Sequence, residues 1–177
     1  MWTSAKRNLR YNQTIPRPAG LINGQSLGAV SGMKFGLSTV RLSGCEIIAV
    51  YNALLLCGKP KQFCEVAYYM ERFCVLAGFW GTNVFALGRC TAHFGVHAEA
   101  VRRRGDLEHA LEEGQICLFV YWTGKRFFSS VHTVCIQAAG DRLQVYNAYN
   151  RCGHAVRTTA RDYLYPRRMI LGYIIKT

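Results

Sequence analysis

Residues 42–58, Leu-Ser-Gly-Cys-Glu-Ile-Ile-Ala-Val-Tyr-Asn-Ala-Leu-Leu-Leu-Cys-Gly, begin with a Ser-Gly turn and continue as an almost uninterrupted apolar run. Glu46 falls in the first helical turn, where a carboxylate complements the positive end of the helix dipole. The final Gly, followed by Pro60, is typical of a helix end, because proline cannot continue the hydrogen-bond ladder. We therefore predict a helix from Cys45 to Cys57 that is buried on most of its surface and on which the rest of the chain packs.

Cys45 is the first residue of this helix and a candidate nucleophile. Unpaired backbone N–H groups at a helix N-terminus favour the thiolate, which is the nucleophilic form of cysteine. The alternative is a structural cysteine at a helix start, since free cysteine is among the most buried residue types. The helix alone does not decide between the two.

The chain has 177 residues, half of them apolar and 18% charged, which suits one globular domain with a substantial core. Residues 1–32 are polar and basic without a sustained period, and we expect an N-terminal arm or loosely packed lead-in before a domain at 33–177. No apolar run approaches the ~18 residues that span a bilayer, and the N-terminus lacks the apolar core of a signal peptide. We therefore expect a cytoplasmic protein without a membrane span.

Eight cysteines, at positions 45, 57, 64, 74, 90, 117, 135 and 152, lie mostly inside apolar periodic segments. In a chain with a real core and no signal peptide, we expect them to be reduced and buried rather than paired. The nearest approach to a metal cluster is Cys90, His93 and His97, but Gly95 interrupts the helical spacing and no fourth ligand follows at zinc-finger spacing. We expect no metal and no cofactor.

The formal net charge is +12, from 22 Lys and Arg against 10 Asp and Glu, and such a balance raises the affinity for any polyanion. The basic residues are scattered, as at Arg102 to Arg104, Lys125-Arg126 and Arg167-Arg168. No zinc finger, helix-turn-helix or aromatic-basic RNA signature accompanies them. A solvated basic surface is the favoured interpretation, with nucleic acid as a non-specific ligand at most.

The first half of the chain has helical periodicity and the second half has strand character. Further helices are predicted from Pro60 to Ala77, after Thr82, and from Leu107 to Glu113. A short strand is predicted at 97–101, and longer segments rich in β-branched and aromatic residues follow at 115–122, 131–138, 143–147 and 169–175, with a hairpin turn at 139–142. The predicted fold class is α+β in two layers, a helical half packed on an antiparallel sheet.

His132 begins one of these strands after a polar loop at 123–130, and Asn147 ends the next strand. They are 15 residues apart with the hairpin about halfway, so antiparallel pairing makes them near neighbours. An Asn oxygen that accepts from the imidazole N–H fixes the tautomer and directs the other ring nitrogen toward a thiol. Taken singly, His132 also fits an edge histidine and Asn147 a turn former. Tyr149-Asn150 and His154 are the alternative orienting group and base.

Gly44-Cys45-Glu46 at the start of a buried helix, His132 at a strand start and Asn147 after a Gly-Asp hairpin resemble the compact bacterial papain-like cysteine peptidases. The layout is most similar to the double-glycine-leader peptidase domains of bacteriocin exporters, over all but the first thirty-odd residues. The resemblance implies a papain-like α+β fold and a triad of Cys45 as nucleophile, His132 as general base and Asn147 as orienting residue. It also implies a peptide or protein substrate, hydrolysed through a thioester acyl-enzyme.

Two features depart from that family. Its members usually carry a Gln about six residues before the Cys to help form the oxyanion hole, and Thr39 occupies that position here. Ser38 and Gln25 are further candidates for the missing donor. Glu46 stands where many members have a second Gly, which makes the cleft bulkier and more acidic. Three hypotheses follow: a cysteine hydrolase of peptide or amide bonds, a catalytically weak or inactive papain-fold module that binds an acidic partner, and a nucleic-acid binder.

Overall fold

The computed structural model describes residues 2–124 and 130–176, with side chains from Ser4 onward. The predicted basic pair Lys125-Arg126 and the middle of the predicted polar loop lie outside the described residues. The helices are Trp2–Gln13 (α1), Val40–Ser43 (α2), Cys45–Leu56 (α3), Phe63–Met70 (α4), Leu87–His93 (α5), Arg104–Glu112 (α6) and Ala160–Leu164 (α7), with 3-10 turns at Ala29–Gly32, Glu71–Phe73, Leu76–Gly78 and Val84–Ala86. The strands are Lys34–Phe35 (β1), Ser38–Thr39 (β2), His97–Val101 (β3), Ile116–Thr123 (β4), Ser130–Ala139 (β5), Arg142–Tyr146 (β6), Val156–Thr158 (β7) and Arg168–Lys176 (β8).

Six of the strands form one antiparallel sheet in the order β3-β8-β4-β5-β6-β7. Helix α3 packs on one face, against β4 and β5, and α6 packs on the other. Alternate residues of β5 join different cores, because Cys135 faces the α3 side while Val134 and Ile136 face the side of α6 and α7. The α+β prediction is confirmed, but α6 and α7 add a third layer that the two-layer prediction lacks.

Helix α3 occupies the centre of the fold, as predicted. Its first ten residues, from Cys45 to Leu54, are all buried, so the apolar run is explained by contacts on every side of the helix. Gly44 precedes it at a point of close approach, where a Cβ would lie 2.5 Å from Cγ1 of Val40 and 2.6 Å from its carbonyl oxygen. The tight join between α2 and α3 therefore requires Gly44, and this join places Cys45.

Residues 1–32 were expected to form an arm or a loosely packed lead-in, and the described part of this segment is instead folded against the domain. Helix α1 packs against α4 and β1, and Ile22 and Val30 belong to the main core. Asn52, fully buried in α3, donates from Nδ2 to the Ile22 carbonyl and accepts from the Ile22 N–H, both at 2.9 Å. Polar composition concealed this packing, because only a few apolar side chains of the segment join the core and asparagine side chains supplement them.

We expect Asn52→Ala to lower the free energy of unfolding by about 2 kcal/mol, since it leaves a buried N–H and a buried C=O of Ile22 without partners. Urea denaturation measures the change. Asn150→Ala is the control, because this exposed side chain makes no hydrogen bond within the described residues, and it is expected to change stability by less than about 0.5 kcal/mol. Equal effects of the two variants would contradict the role given to Asn52.

The predicted strands and the β5–β6 hairpin are confirmed, whereas the segment after α3 differs from expectation and several elements were not predicted. The helix predicted from Pro60 to Ala77 ends at Met70, because the chain then folds back so that Cys74 bridges to Thr82 and the Asn83 N–H donates to the Phe73 carbonyl. Asn83, rather than Thr82, caps the next helical turn. Helices α1, α2 and α7 and strands β1, β2 and β7 were not predicted. None of the described helices is long and apolar enough to cross a bilayer.

Candidate active site

The thiol of Cys45 lies against the backbone of β5 on both sides of His132. Its Sγ donates to the Val131 carbonyl oxygen at 3.9 Å, and the Thr133 N–H is close enough to favour the thiolate. The start of α3 and the start of β5 therefore meet, as the sequence predicts for a nucleophile and its base. Only 5% of Cys45 is exposed.

His132 is held by the residue predicted to orient it, but through a different atom. Its Nε2 lies 2.8 Å from the backbone carbonyl oxygen of Asn147. Since a carbonyl oxygen only accepts, Nε2 carries the proton, and Nδ1 of the neutral ring is left as an unprotonated base. The edge of Tyr121 packs on the imidazole, with ring centroids 5.8 Å apart. Burial, helped by the positive charge of Arg167, lowers the pKa of His132, so the resting ring is neutral.

Asn147 is fully buried at the end of β6 and adopts a left-handed conformation, with φ of 59°. Its side chain does not contact the imidazole: Oδ1 accepts from the Gln25 N–H at 3.0 Å, while its own N–H donates to Oδ1 of Asn23 at 2.9 Å. Nδ2 has no hydrogen-bond partner within the described residues. The amide thus fixes the backbone carbonyl that receives His132, and the lead-in supplies the bonds that do so.

No hydrogen bond joins the Cys45 thiol to the imidazole of His132 within residues 2–124 and 130–176. The thiol bonds to the strand backbone, while the ring of His132 extends toward Tyr121 and Asn147. The three predicted residues are therefore brought to one end of the sheet, and their union as a triad remains a prediction.

The three predicted oxyanion donors lie in different settings. Nε2 of Gln25, a buried residue, donates to the Arg41 carbonyl at 3.1 Å, and its Oε1 has no partner among the residues described. The buried hydroxyl of Ser38 likewise has none there, and Thr39 precedes α2 without a side-chain cap. None of the three bonds to Cys45 in the described structure, so their role stays a prediction.

Glu46 lies beside the thiol and is 2% exposed, a degree of burial that its place in the first turn of a helix did not indicate. The carboxyl packs on Gly81, where a Cβ would lie 2.6 Å from Oε2. Burial raises the pKa of Glu46 to about 7, opposed by its own N–H, the Cys45 thiol and the Thr82 N–H. Burial, and then the charge of Glu46, raise the pKa of the Cys45 thiol well above its usual value. The resting site therefore holds a neutral thiol and a neutral imidazole.

A cleft of about 250 Å³ opens onto this site. Cys45, Glu46 and Gly81 line it, and apolar side chains surround them. These are Leu42, Phe79, Trp80 and Trp122, with Val131 from β5. Sequence reasoning missed the three aromatic residues, because the loop that carries Phe79 and Trp80 was predicted only as a break between helices.

The alternatives for orienting group and base lie elsewhere. Tyr149 and Asn150 are exposed, and Nε2 of the exposed His154 lies 3.5 Å from Sγ of Cys152 on the same loop. The ring of His93, considered above as a metal ligand, stacks on Tyr69 at 3.6 Å between centroids. All eight cysteines are free, as the absence of a secretory signal led us to expect.

Structural comparison identifies the fold. No family model and no curated protein matches the sequence. Among solved structures, a double glycine motif protease from an AMS/PCAT transporter, in complex with the leader peptide, matches with a TM-score of 0.52 at 14% identity, over 81% of this chain and 89% of that one. The peptidase domain of Streptococcus ComA, a bifunctional ABC transporter involved in quorum sensing, matches with a TM-score of 0.56 at 10% identity, over 80% and 95%. The chain has a papain-like fold. At 10–14% identity, the similarity to these peptidase domains is one of fold.

We expect iodoacetamide to alkylate Cys152 at least about tenfold faster than Cys45 between pH 7 and 8, since the reagent attacks an accessible thiolate. Cys45 is buried with a raised pKa, while Cys152 lies in a surface loop beside the His154 imidazole. Peptide mapping by mass spectrometry gives both rates. Preferential labelling of Cys45 would contradict a neutral resting site and would indicate a preformed thiolate–imidazolium pair.

Proposed function

We propose that the chain hydrolyses peptide or amide bonds, with Cys45 as the nucleophile and His132 as the general base. The observation that carries the proposal is the position of the Cys45 thiol, which lies between the Val131 carbonyl and the Thr133 N–H, the two neighbours of His132 in β5. Nε2–H of His132 donates to the Asn147 carbonyl. That bond leaves Nδ1 of His132 without a proton. The thiol and the cleft lie at one helix N-terminus, and the proposed base belongs to the strand whose backbone the thiol contacts.

In the proposed reaction, a bound substrate displaces Sγ of Cys45 from the Val131 carbonyl toward Nδ1 of His132. Hydrogen bonds between catalytic groups are often loose without substrate and tighten when it binds. Nδ1 takes the thiol proton as sulfur attacks the carbonyl carbon, and backbone N–H groups of the first turn of α3 stabilise the developing oxyanion. The imidazolium then protonates the leaving amine. Water, deprotonated by the same nitrogen, cleaves the thioester and regenerates the thiol.

The proposed role of Asn147 differs from the side-chain role first expected. Its carbonyl accepts the Nε2 proton of His132 and so stabilises the imidazolium formed during the reaction. Its side-chain amide does not bond to the ring but accepts a hydrogen bond from the Gln25 N–H, which helps to hold the Asn147 backbone in place. The conformation of the lead-in is thereby connected to the position of the base.

A catalytically weak or inactive binding module is the second candidate, and Glu46 favours it. A buried carboxyl beside the nucleophile opposes ionisation of the thiol, which is the reverse of what an activated cysteine requires. In this case the cleft would hold a peptide without cleaving it. The two candidates share a ligand class and differ in turnover.

Digestion of a diverse peptide library, followed by acid quenching and mass spectrometry, tests the proposal. We expect new peptide termini together with an acyl adduct on the tryptic peptide that contains Cys45. Adducts on Cys152, the surface thiol, measure non-enzymatic acylation. Binding of library peptides without new termini would support the second candidate, whereas cleavage with no adduct on Cys45 would overturn the assignment of the nucleophile.

The partner and location proposed here are a peptide substrate and the cytoplasm. The double glycine motif protease was solved with its leader peptide, and the cleft at Cys45 is open for a peptide chain. Eight free cysteines suit a reducing compartment. Binding to nucleic acid through the basic surface stays a prediction, and its affinity should fall steeply with added salt.

A further inference from the structure

The carboxyl of Glu46 is a buried polar group that the proposed hydrolysis does not use. Oε2 has no hydrogen-bond partner among the described residues, and with only 2% of Glu46 exposed it is also shielded from water. A buried polar atom without a partner destabilises the folded state, because its lost hydration is not replaced. Gly81 is the residue that makes room for it, since a side chain there would collide with Oε2. One oxygen of this carboxyl, Oε2, is therefore without a donor in the described structure, although the Glu46 N–H, the Cys45 thiol and the Thr82 N–H act on the carboxyl as a whole.

The surroundings of this carboxyl are those of a cation site. Phe79, Trp80 and Trp122 line the same cleft, and the first two are 60% and 68% exposed. Aromatic faces attract cations, and a desolvated carboxylate gains more from a cationic partner than an exposed one does. Among the described residues, no lysine, arginine or histidine lines the cleft.

We propose that the cleft binds an alkylammonium group of the substrate and that Glu46 is the residue that selects it. The inference rests on the proposed function and specifies its substrate class: the reactive carbonyl lies a few bonds from an ammonium group. A lysine side chain and a free N-terminal amine share this chemistry. Because Glu46 directly follows Cys45, an ammonium paired with Oε2 stays close to the carbonyl that sulfur attacks.

A metal ion fits the same carboxyl poorly. Ca²⁺ takes six to eight oxygen ligands, and Mg²⁺ requires a nearly ideal octahedron of oxygen ligands. No group of three His, Cys, Asp or Glu side chains that could hold a metal ion occurs in the part of the chain that the structure describes. One carboxyl with aromatic neighbours matches a single positive charge instead.

Ligand binding to Cys45→Ala protein tests the proposal without depending on turnover. Three probes are compared by tryptophan fluorescence at pH 7.5 and constant ionic strength. Nα-acetyl-lysine methylamide carries a side-chain ammonium, norleucine methylamide carries an N-terminal ammonium, and Nα-acetyl-norleucine methylamide is neutral. We expect at least one ammonium probe to bind at least tenfold more tightly than the neutral probe, and the better of the two identifies the source of the cation.

The same titrations on Cys45→Ala/Glu46→Gln are expected to remove this preference, while Cys45→Ala/Glu112→Gln keeps it, because Glu112 is exposed and lies outside the cleft. Equal affinities for all three probes, or a preference that survives Glu46→Gln, would overturn the proposal. Since these proteins lack the nucleophile, a failure here is separate from a failure of the library digestion. An inactive chain can still show the ammonium preference, and an active one can lack it.

Discussion

Replacing Cys45 with Ala is expected to lower the rate of peptide hydrolysis by at least on the order of 10³, because the thioester cannot form without the sulfur. The fold should persist. The side chain loses one buried atom, which makes a long hydrogen bond to the Val131 carbonyl and weaker contacts with the Thr133 N–H and Glu46. Initial rates on a peptide identified from the library give the loss, and thermal unfolding confirms that the midpoint moves by only a few degrees.

Cys152→Ala is the matched control for this experiment. Cys152 is also near a histidine, with Sγ 3.5 Å from Nε2 of His154, but it lies on a surface loop away from the cleft. We expect its removal to leave the rate within about twofold of the starting protein. If hydrolysis survived Cys45→Ala and vanished in Cys152→Ala, the surface pair would be the nucleophile and base, and the assignment made here would fail.

The sequence predicted the placement of Cys45 because the signal is local. An apolar run bounded by Ser-Gly and Gly-x-Pro specifies one buried helix, and α3 begins at the predicted residue. The β5–β6 hairpin is local too, and its turn carries Asn147 to His132. Both predictions depend on residues close in the chain.

Other features depend on contacts between distant residues and could not be predicted in this way. The Asn147 side chain bonds to the backbone of Gln25, 122 residues away. Without this distant partner in view, the side chain was predicted to bond to the His132 imidazole, whereas the Asn147 backbone carbonyl makes that bond. Asn52 likewise bonds to the backbone of Ile22, 30 residues away. Because the sequence does not show this contact, the packed lead-in was predicted to be an arm. The burial of Glu46 depends on Gly81, in a loop that the pattern identified only as a helix break.

Replacing Glu46 with Gln is expected to stabilise the protein by about 3 kcal/mol at pH 8 and to leave its stability almost unchanged below pH 4.5. In the folded state the carboxyl keeps its proton up to a pKa of about 7, whereas its ordinary value is 4.5. Between these values the folded protein binds more protons than the unfolded chain, so its stability falls as the pH rises. The difference between the two pKa values corresponds to about 3 kcal/mol of unfolding free energy. Because Gln does not titrate, the Glu46→Gln protein avoids this loss.

Urea denaturation of both proteins from pH 4.5 to 8 gives the difference in unfolding free energy as a function of pH. It should grow through the window between 4.5 and about 7 and then level off. Glu112→Gln, on an exposed face of α6, should show a difference within about 0.5 kcal/mol at every pH. A flat profile for Glu46→Gln would mean that the carboxylate is already satisfied in the folded protein. An external cation at Oε2 would then gain little, because Oε2, which has no partner among the described residues, would not carry an uncompensated charge.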